Sequence, residues 1–233
     1  MTDGSTQGFI AKTDPTGRTV QSVRTGGFSP HQVCEATDGT VWTLGYGLDS
    51  RNSPDADKNV LRHYSLDKGL LGSIVSLDSI SKSSDAILPI SSPGKSFLRC
   101  GKDRVSVLFW SSAQYIQVDA STKKFTRWKF ALSSVVGGTA NGFAVTEEGR
   151  SFVNLADFIE PDKTRTHGLY ELKAKTGTSV ATLIRVEYGH NDSPDGTLFR
   201  LWGADGDELV VQRQGDGWGL SWARISASPS TPD

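Results

Sequence analysis

Val33-Cys34-Glu35-Ala36-Thr37-Asp38-Gly39-Thr40-Val41-Trp42 reads VCEATDGTVW. Two runs with apolar and β-branched residues flank an Asp-Gly pair. A tight turn needs positive φ at its centre. Glycine takes that conformation at no steric cost and aspartate tolerates it, so the stretch predicts a β-hairpin. Working outward, the same arrangement returns at residues 143–153 around Glu148-Gly149, and at residues 199–209 around Asp205-Gly206. A weaker copy spans residues 97–107, with Lys102-Asp103 at its turn.

A second hairpin type alternates with the first. Residues 9–17 lead into 18–23, 61–69 into 70–75, 115–119 into 125–130, and 169–177 into 178–186. Gly17, Gly69 and Gly177 stand at matching turn positions, and Lys123 takes that place in the remaining copy. A last strand is expected over residues 218–225. Glycine, at 25 of 233 residues, exceeds the usual share of about 7%. Long helical patterns are missing, and short strands with turn signals recur instead. A pair of hairpins repeats about every 50 residues, the spacing of four-stranded propeller blades. The expected fold class is therefore all-β: a β-propeller of about four four-stranded blades, as a partial or truncated ring. A β-sandwich with accidentally similar hairpins is the competing reading. Residues 1–226 are read as one domain and 227–233 (ASPSTPD) as a flexible tail.

The pattern of apolar run, Asp-x-x-Gly, apolar run and Asp-Gly-Thr-Val-Trp is carried by Asp14-Pro15-Thr16-Gly17 and by Asp38-Gly39-Thr40-Val41-Trp42. It resembles bacterial six-bladed propellers of the NHL and gluconolactonase-like superfamily. The resemblance covers nearly the whole chain, but its motifs are turns, which specify fold rather than chemistry. The chain departs from the family in offering about four blades. On this reading the N-terminal hairpin pairs with the C-terminal one to close the ring. Otherwise the ring stays open and its edge self-associates with another chain. The family would allow a periplasmic or secreted protein, although MTDGSTQGFI has neither the basic start nor the apolar core of a signal peptide.

Composition limits the partners. Charged residues make up 22% and apolar residues 36%, enough for a folded core. A net charge of −1 argues against nucleic acid. No apolar run reaches the roughly 18 residues that a membrane span needs. Protein, peptide or small-ligand partners remain. Cys34 and Cys100 lack CxxC spacing, so a structural zinc site is not expected. They read as two buried free thiols, with a disulfide as the other possibility.

Residues 47–59 (GLDSRNSPDADKN) raise the question of a metal. Asp49, Asn52, Asp55 and Asp57 supply the oxygen atoms that calcium takes. The spacing is not that of an EF-hand, whose glycine is missing, and the same residue types are ordinary in turns. Propeller topology would put this loop on the inter-hairpin face with residues 189–196, where Asn and then Ser-Pro-Asp recur. His31, His167, His190, Asn191 and Asp192 map to that face as candidate ligand-binding residues, whereas His63 reads as structural. Trp42, Trp110 and Trp202 are expected to pack between blades, and Trp218 and Trp222 to share one side of the last strand. Gly94-Lys95-Ser96 fails as a P-loop because the first glycine would fall on Pro89. Gly219-Leu220-Ser221-Trp222-Ala223 is an imperfect nucleophile elbow without its strand-turn-helix context. The expected function is a non-catalytic binding or scaffolding module using the inter-hairpin face. The alternative is a calcium-assisted hydrolase of the lactonase type, with carboxylates at the central mouth. No other cofactor is expected.

Overall fold

The computed structural model describes residues 8–47, 58–76, 80, 95–130, 139–159, 165–175, 177–186, 197–214 and 220–226. The elements with both ends among them are β-strands, and Ile80 by itself is helical. β1 (Gly8–Thr13) and β2 (Thr19–Gly26) form a two-stranded sheet. β3 (Phe28–Glu35), β4 (Val41–Gly47), β5 (Asn59–Ser65) and β6 (Gly69–Ser76) form an antiparallel meander. A second meander comprises β7 (Ser96–Cys100), β8 (Arg104–Phe109), β9 (Gln114–Asp119) and β10 (Phe125–Phe130). A third comprises β11 (Thr139–Val145), β12 (Ser151–Ile159), β13 (Arg165–Ala174) and β14 (Val180–Arg185). The last sheet holds β15 (Thr197–Asp205), β16 (Glu208–Gln214) and β17 (Leu220–Ser226).

The hairpins form where the turn chemistry puts them. Gly39, Gly149 and Gly206 have φ of 77°, 84° and 60° at the first type of turn. Gly17, Gly69 and Gly177 have 84°, 85° and 75° at the second, and Lys123 takes the same conformation at 61°. Aspartates lock these turns. Asp14 Oδ1 accepts the Thr16 and Arg18 backbone N–H groups, each at 3.0 Å. Asp119 Oδ1 accepts those of Ser121 at 3.0 Å and Thr122 at 2.7 Å. The Thr16 and Ser121 hydroxyls also donate to these carboxylates, each at 2.6 Å, and these hydroxyl bonds first, with the backbone bonds beside them, favour the charged form and hold both groups below the usual carboxylate range.

The hairpins do not gather into equal blades. β10 and β14 run parallel, with Lys129 beside Val180 and Phe130 beside Ala181. This short ladder fuses two meanders into one eight-stranded sheet, ordered β11-β12-β13-β14-β10-β9-β8-β7. Its end strands β7 and β11 lie against each other, so the sheet curls nearly closed, like a barrel. The sheets thus have two, eight, three and four strands, and the resemblance to NHL and gluconolactonase-like propellers is corrected accordingly. Turn motifs specify hairpins locally. They do not specify which outer strands will share hydrogen bonds.

The near-barrel encloses an aromatic core. Trp110, Tyr115, Trp128 and Phe130 from one half meet Phe143, Leu155, Tyr170 and Leu172 from the other. Tyr115 stacks on Trp128 at 5.5 Å and meets Phe143 edge-on at 6.2 Å, both favourable ring geometries. Its buried hydroxyl is satisfied by Ser151 Oγ at 2.7 Å and by the Gln117 amide, which donates to it at 2.5 Å. A second core joins the β3–β6 sheet to β7–β9 through Trp42, Leu44, Leu61, Leu98, Phe109 and Ile116. A third seats Leu201, Leu209, Val211 and Ile225 against Phe152 and Leu169.

Three further expectations change. The N-terminal hairpin does not complete the last sheet. It lies on the β3–β6 sheet, with Ile10 and Val23 against Val41, Tyr64 and Leu66. Cys34 and Cys100 are not free: they form a disulfide between β3 and β7, with Cα atoms 5.6 Å apart. Strands that lie side by side bring the two thiols together, although 66 positions separate them in sequence. A closed loop of that length removes unfolded-state entropy worth about 4 kcal/mol. Trp202, expected between blades, is 42% exposed, because no further sheet among the described residues covers the outer face of β15–β17.

Candidate functional site: an arginine and tryptophan face on the last sheet

Strand alternation builds this face. Leu201 points into the core and is 1% exposed, so its neighbours Arg200 and Trp202 point outward. Register shifts on either side of Leu201 mark irregularities that adjust the aim of these two side chains. Gln212 on β16 lies opposite both Arg200 on β15 and Trp222 on β17, which makes a row across the three strands. The Trp202 and Trp222 rings lie 5.4 Å apart at 48°. Trp202 Nε1 donates to Gln212 Oε1 at 3.3 Å, which fixes the ring. The Arg200 guanidinium sits 4.3 Å over the Trp202 ring.

Arg99 reaches this face from β7. Its Nη2 donates to the Trp202 carbonyl at 3.1 Å, and its Nη1 to the Leu98 carbonyl at 2.8 Å. Burial first, and then the Arg200 charge, pull its pKa down. Among the described residues, neither Arg99 nor Arg200 meets a carboxylate. Arg224 on the same sheet, by contrast, is neutralised by Asp205 at 2.7 Å and Glu208 at 3.9 Å. Two adjacent cations without an acid partner favour an anion between them, and the tryptophan rings beside them offer apolar faces.

A separate cavity of about 340 Å³ lies where four hairpin turns converge. Glu35 and Thr37 come from the β3–β4 turn, Cys100 and Lys102 from β7–β8, Glu147 from β11–β12, and Gly206 from β15–β16. The turns hold one another. Thr37 Oγ1 donates to the Lys102 carbonyl at 3.0 Å, and the Glu147 N–H to the Gly206 carbonyl at 2.9 Å. Glu35 is already engaged by Lys12 at 2.6 Å.

Asp38, Thr40 and His63 form a chain that superficially resembles a catalytic relay. Thr40 Oγ1 donates to Asp38 Oδ1 at 2.5 Å, and His63 Nε2 lies 2.7 Å from the same hydroxyl. The single hydroxyl proton goes to Asp38, so His63 Nε2 must be the donor and cannot serve as the base for Thr40. His63 is 3% exposed and stacks on Trp42 at 4.3 Å. Burial, followed by the Lys123 charge, pulls its pKa down to about 4. The chain is a structural latch, in keeping with the expectation for His63.

Of the residues singled out in the sequence, His31 lies on β3 and stacks on Tyr46 at 4.9 Å, and burial lowers its pKa. His167 belongs to β13, but its side chain is outside the described part. His190, Asn191 and Asp192, and the proposed calcium ligands Asp49, Asn52, Asp55 and Asp57, lie outside the described residues. Among the described residues, no three His, Cys, Asp or Glu side chains gather as metal ligands would. Sequence reasoning missed Arg99 and Arg200. The usable signal was Arg200-x-Trp202 and Trp222 on strands whose alternation points all three outward.

No protein-family model matches the chain, and no curated protein does. A solved structure of a luciferin-regenerating enzyme is similar in outline. The match has 16% identity, covers 94% of this chain and 70% of that one, and scores a TM of 0.47. A likeness that loose supports no inference about chemistry.

The functional expectation is corrected. A non-catalytic module on the inter-hairpin face depended on the loop sorting of a regular ring, which the sheets do not form. The calcium-assisted alternative gains no support from the described residues.

Proposed function

We propose that the protein recognises an acidic carbohydrate on the outer face of β15–β17. The supporting observation is the pair of outward tryptophans, Trp202 and Trp222, beside two arginines that meet no carboxylate among the described residues. An exposed indole on a rigid sheet presents an apolar face to the C–H side of a pyranose. Arg99 and Arg200 would receive the carboxylate of a uronic acid through charge-assisted hydrogen bonds. Single-stranded nucleic acid also stacks on such rings. Nucleic-acid affinity rests on many phosphate contacts along a basic surface, whereas these two arginines suit a single carboxylate, and the net charge of −1 points the same way.

The finer architecture belongs to the same reading. Each of β3, β7, β11 and β15 feeds a turn into one cavity, which supports a radial, propeller-type placement of unequal sheets.

The test is calorimetric titration with an oligouronate, its neutral counterpart and single-stranded DNA. We expect binding of the oligouronate that weakens with salt, a loss of about tenfold or more in Arg200→Gln, and abolition in Trp222→Ala. Equal binding of the neutral sugar, tighter binding of DNA, or indifference to both substitutions would overturn the proposal.

A further inference from the structure

The Cys34–Cys100 disulfide covalently joins the four-stranded sheet to the eight-stranded one. Cys100 lines the cavity where the four turns meet, so a reductant entering there comes up against Cys100. Arg99 precedes Cys100 on β7 and spans to the Trp202 carbonyl on β15. The position of that guanidinium therefore depends on how the end of β7 is held. Two noncovalent ties also hold β7 to the β3–β4 hairpin. Gln32 bonds to Ser96 and Leu98, and Thr37 bonds to the Lys102 carbonyl. They flank the disulfide on either side along the chain.

We propose that the disulfide is a redox control on the arginine and tryptophan face, an inference that rests on the carbohydrate reading above. Oxidised, it fixes β7 so that Arg99 stands beside Arg200. Reduced, β7 keeps its ladder with β8 but is tied to the β3–β4 hairpin through the Gln32 and Thr37 side chains alone, and the anion site loosens. The reductant is a dithiol. One thiolate attacks Cys100 Sγ, breaks the S–S bond and releases Cys34 as a thiolate, which takes up a proton. The second thiolate of the dithiol attacks its own sulfur in the mixed disulfide and releases Cys100 as a thiolate, which is then protonated. Two electrons and two protons pass to the protein, and the dithiol becomes a disulfide.

Oligouronate affinity is measured on the full chain, oxidised and then reduced with dithiothreitol, and on Cys34→Ser/Cys100→Ser. Hydrogen exchange of β7 and β15 is followed in parallel. The expected result is about tenfold weaker binding in the reduced protein and in the double variant, within the usual range for coupled sites. Faster exchange at both strands should accompany it. Linkage then requires saturating oligouronate to make the disulfide harder to reduce by the same factor, a midpoint shift of about 30 mV to more negative potential. Equal affinity in both redox states overturns this inference and leaves the carbohydrate reading standing. No binding by the oxidised protein removes that reading, and this inference with it. Unchanged exchange at β7 and β15 overturns the positioning of Arg99 whatever the affinities show.

Discussion

Gln32 pairs with Leu98 as a neighbouring strand would. Its side-chain Oε1 accepts the Leu98 N–H at 2.8 Å, while its Nε2 donates to the Ser96 carbonyl at 2.8 Å and to Ser96 Oγ at 3.0 Å. One carboxamide thus satisfies a buried length of the β7 edge and ties two sheets together beside the disulfide. Gln32→Ala leaves a backbone donor and acceptor without those partners. The expected cost is about 2 kcal/mol. For a chain of this size that is a fall in Tm of roughly 4–8 °C, read by calorimetry. Gln32→Glu should cost at least as much, because a carboxylate cannot donate to the Ser96 carbonyl. A Tm unchanged in both variants would show that the tie contributes nothing to stability.

Lys123 holds φ of 61° where the three related turns have glycine. A side chain there costs about 1–2 kcal/mol. Part of this is offset by Lys123 Nζ, which lies 4.9 Å over the Trp42 ring and donates to the Ala120 carbonyl. Lys123→Gly relieves the strain and removes both contacts, so urea denaturation should give a change within about 0.5 kcal/mol. Gly177→Ala, at φ of 75° with no such compensation, should lose about 1 kcal/mol or more. A clear gain in Lys123→Gly would mean that the contacts to Trp42 and Ala120 are worth nothing.

The contrast shows what the sequence could reveal. Asp-Gly and Asp-x-x-Gly turns act over a few residues, so the hairpins they close were legible, including the one closed by Lys123 rather than glycine. The pairing of Lys129 with Val180 depends on where two completed meanders come to rest. Nothing in either strand announces that contact, and it changes equal units into a near-barrel. The disulfide was missed for the same reason. The tryptophans were visible, but whether Trp202 is covered depends on what packs over β15–β17. Arg99 joins Arg200 only through the tertiary placement of β7 beside β15.

His63 makes stability fall on the acid side. Its pKa is about 4 in the fold and near 6.5 when unfolded. Between those values the unfolded chain binds the extra proton, so stability is full above about pH 6.5 and is lost as pH falls toward 4. Asp14, Asp38 and Asp119 have lowered pKa values, so their contribution is present above the unfolded value of 3.8 and is lost only at lower pH. The two windows are therefore separate. Denaturation midpoints measured from pH 7 to 4.5 should decline in the parent and decline less in His63→Gln, whose side chain can still bond Thr40. Parallel declines would assign the acid sensitivity to another group.

Gly142 tests how the last sheet is docked. A Cβ built there would run into the Leu201 carbonyl and Cα, because β11 and β15 approach backbone to backbone at that point. The obstacle is main chain, so no side-chain rotation relieves it, and the cores on both sides limit any shift. Gly142→Ala should cost about 3 kcal/mol, in the upper range for overpacking, or roughly 6–12 °C in Tm. Gly203 is also a strand glycine, but nothing lies within 4 Å of where a Cβ would stand on it. Gly203→Ala should change stability by less than about 1 kcal/mol. Hydrogen exchange should locate the damage: β15–β17 lose protection in Gly142→Ala, while β3–β6 keep theirs. Similar melting of the two variants would mean that β11 and β15 are not in backbone contact, and the route by which Arg99 reaches Trp202 would have to be redrawn.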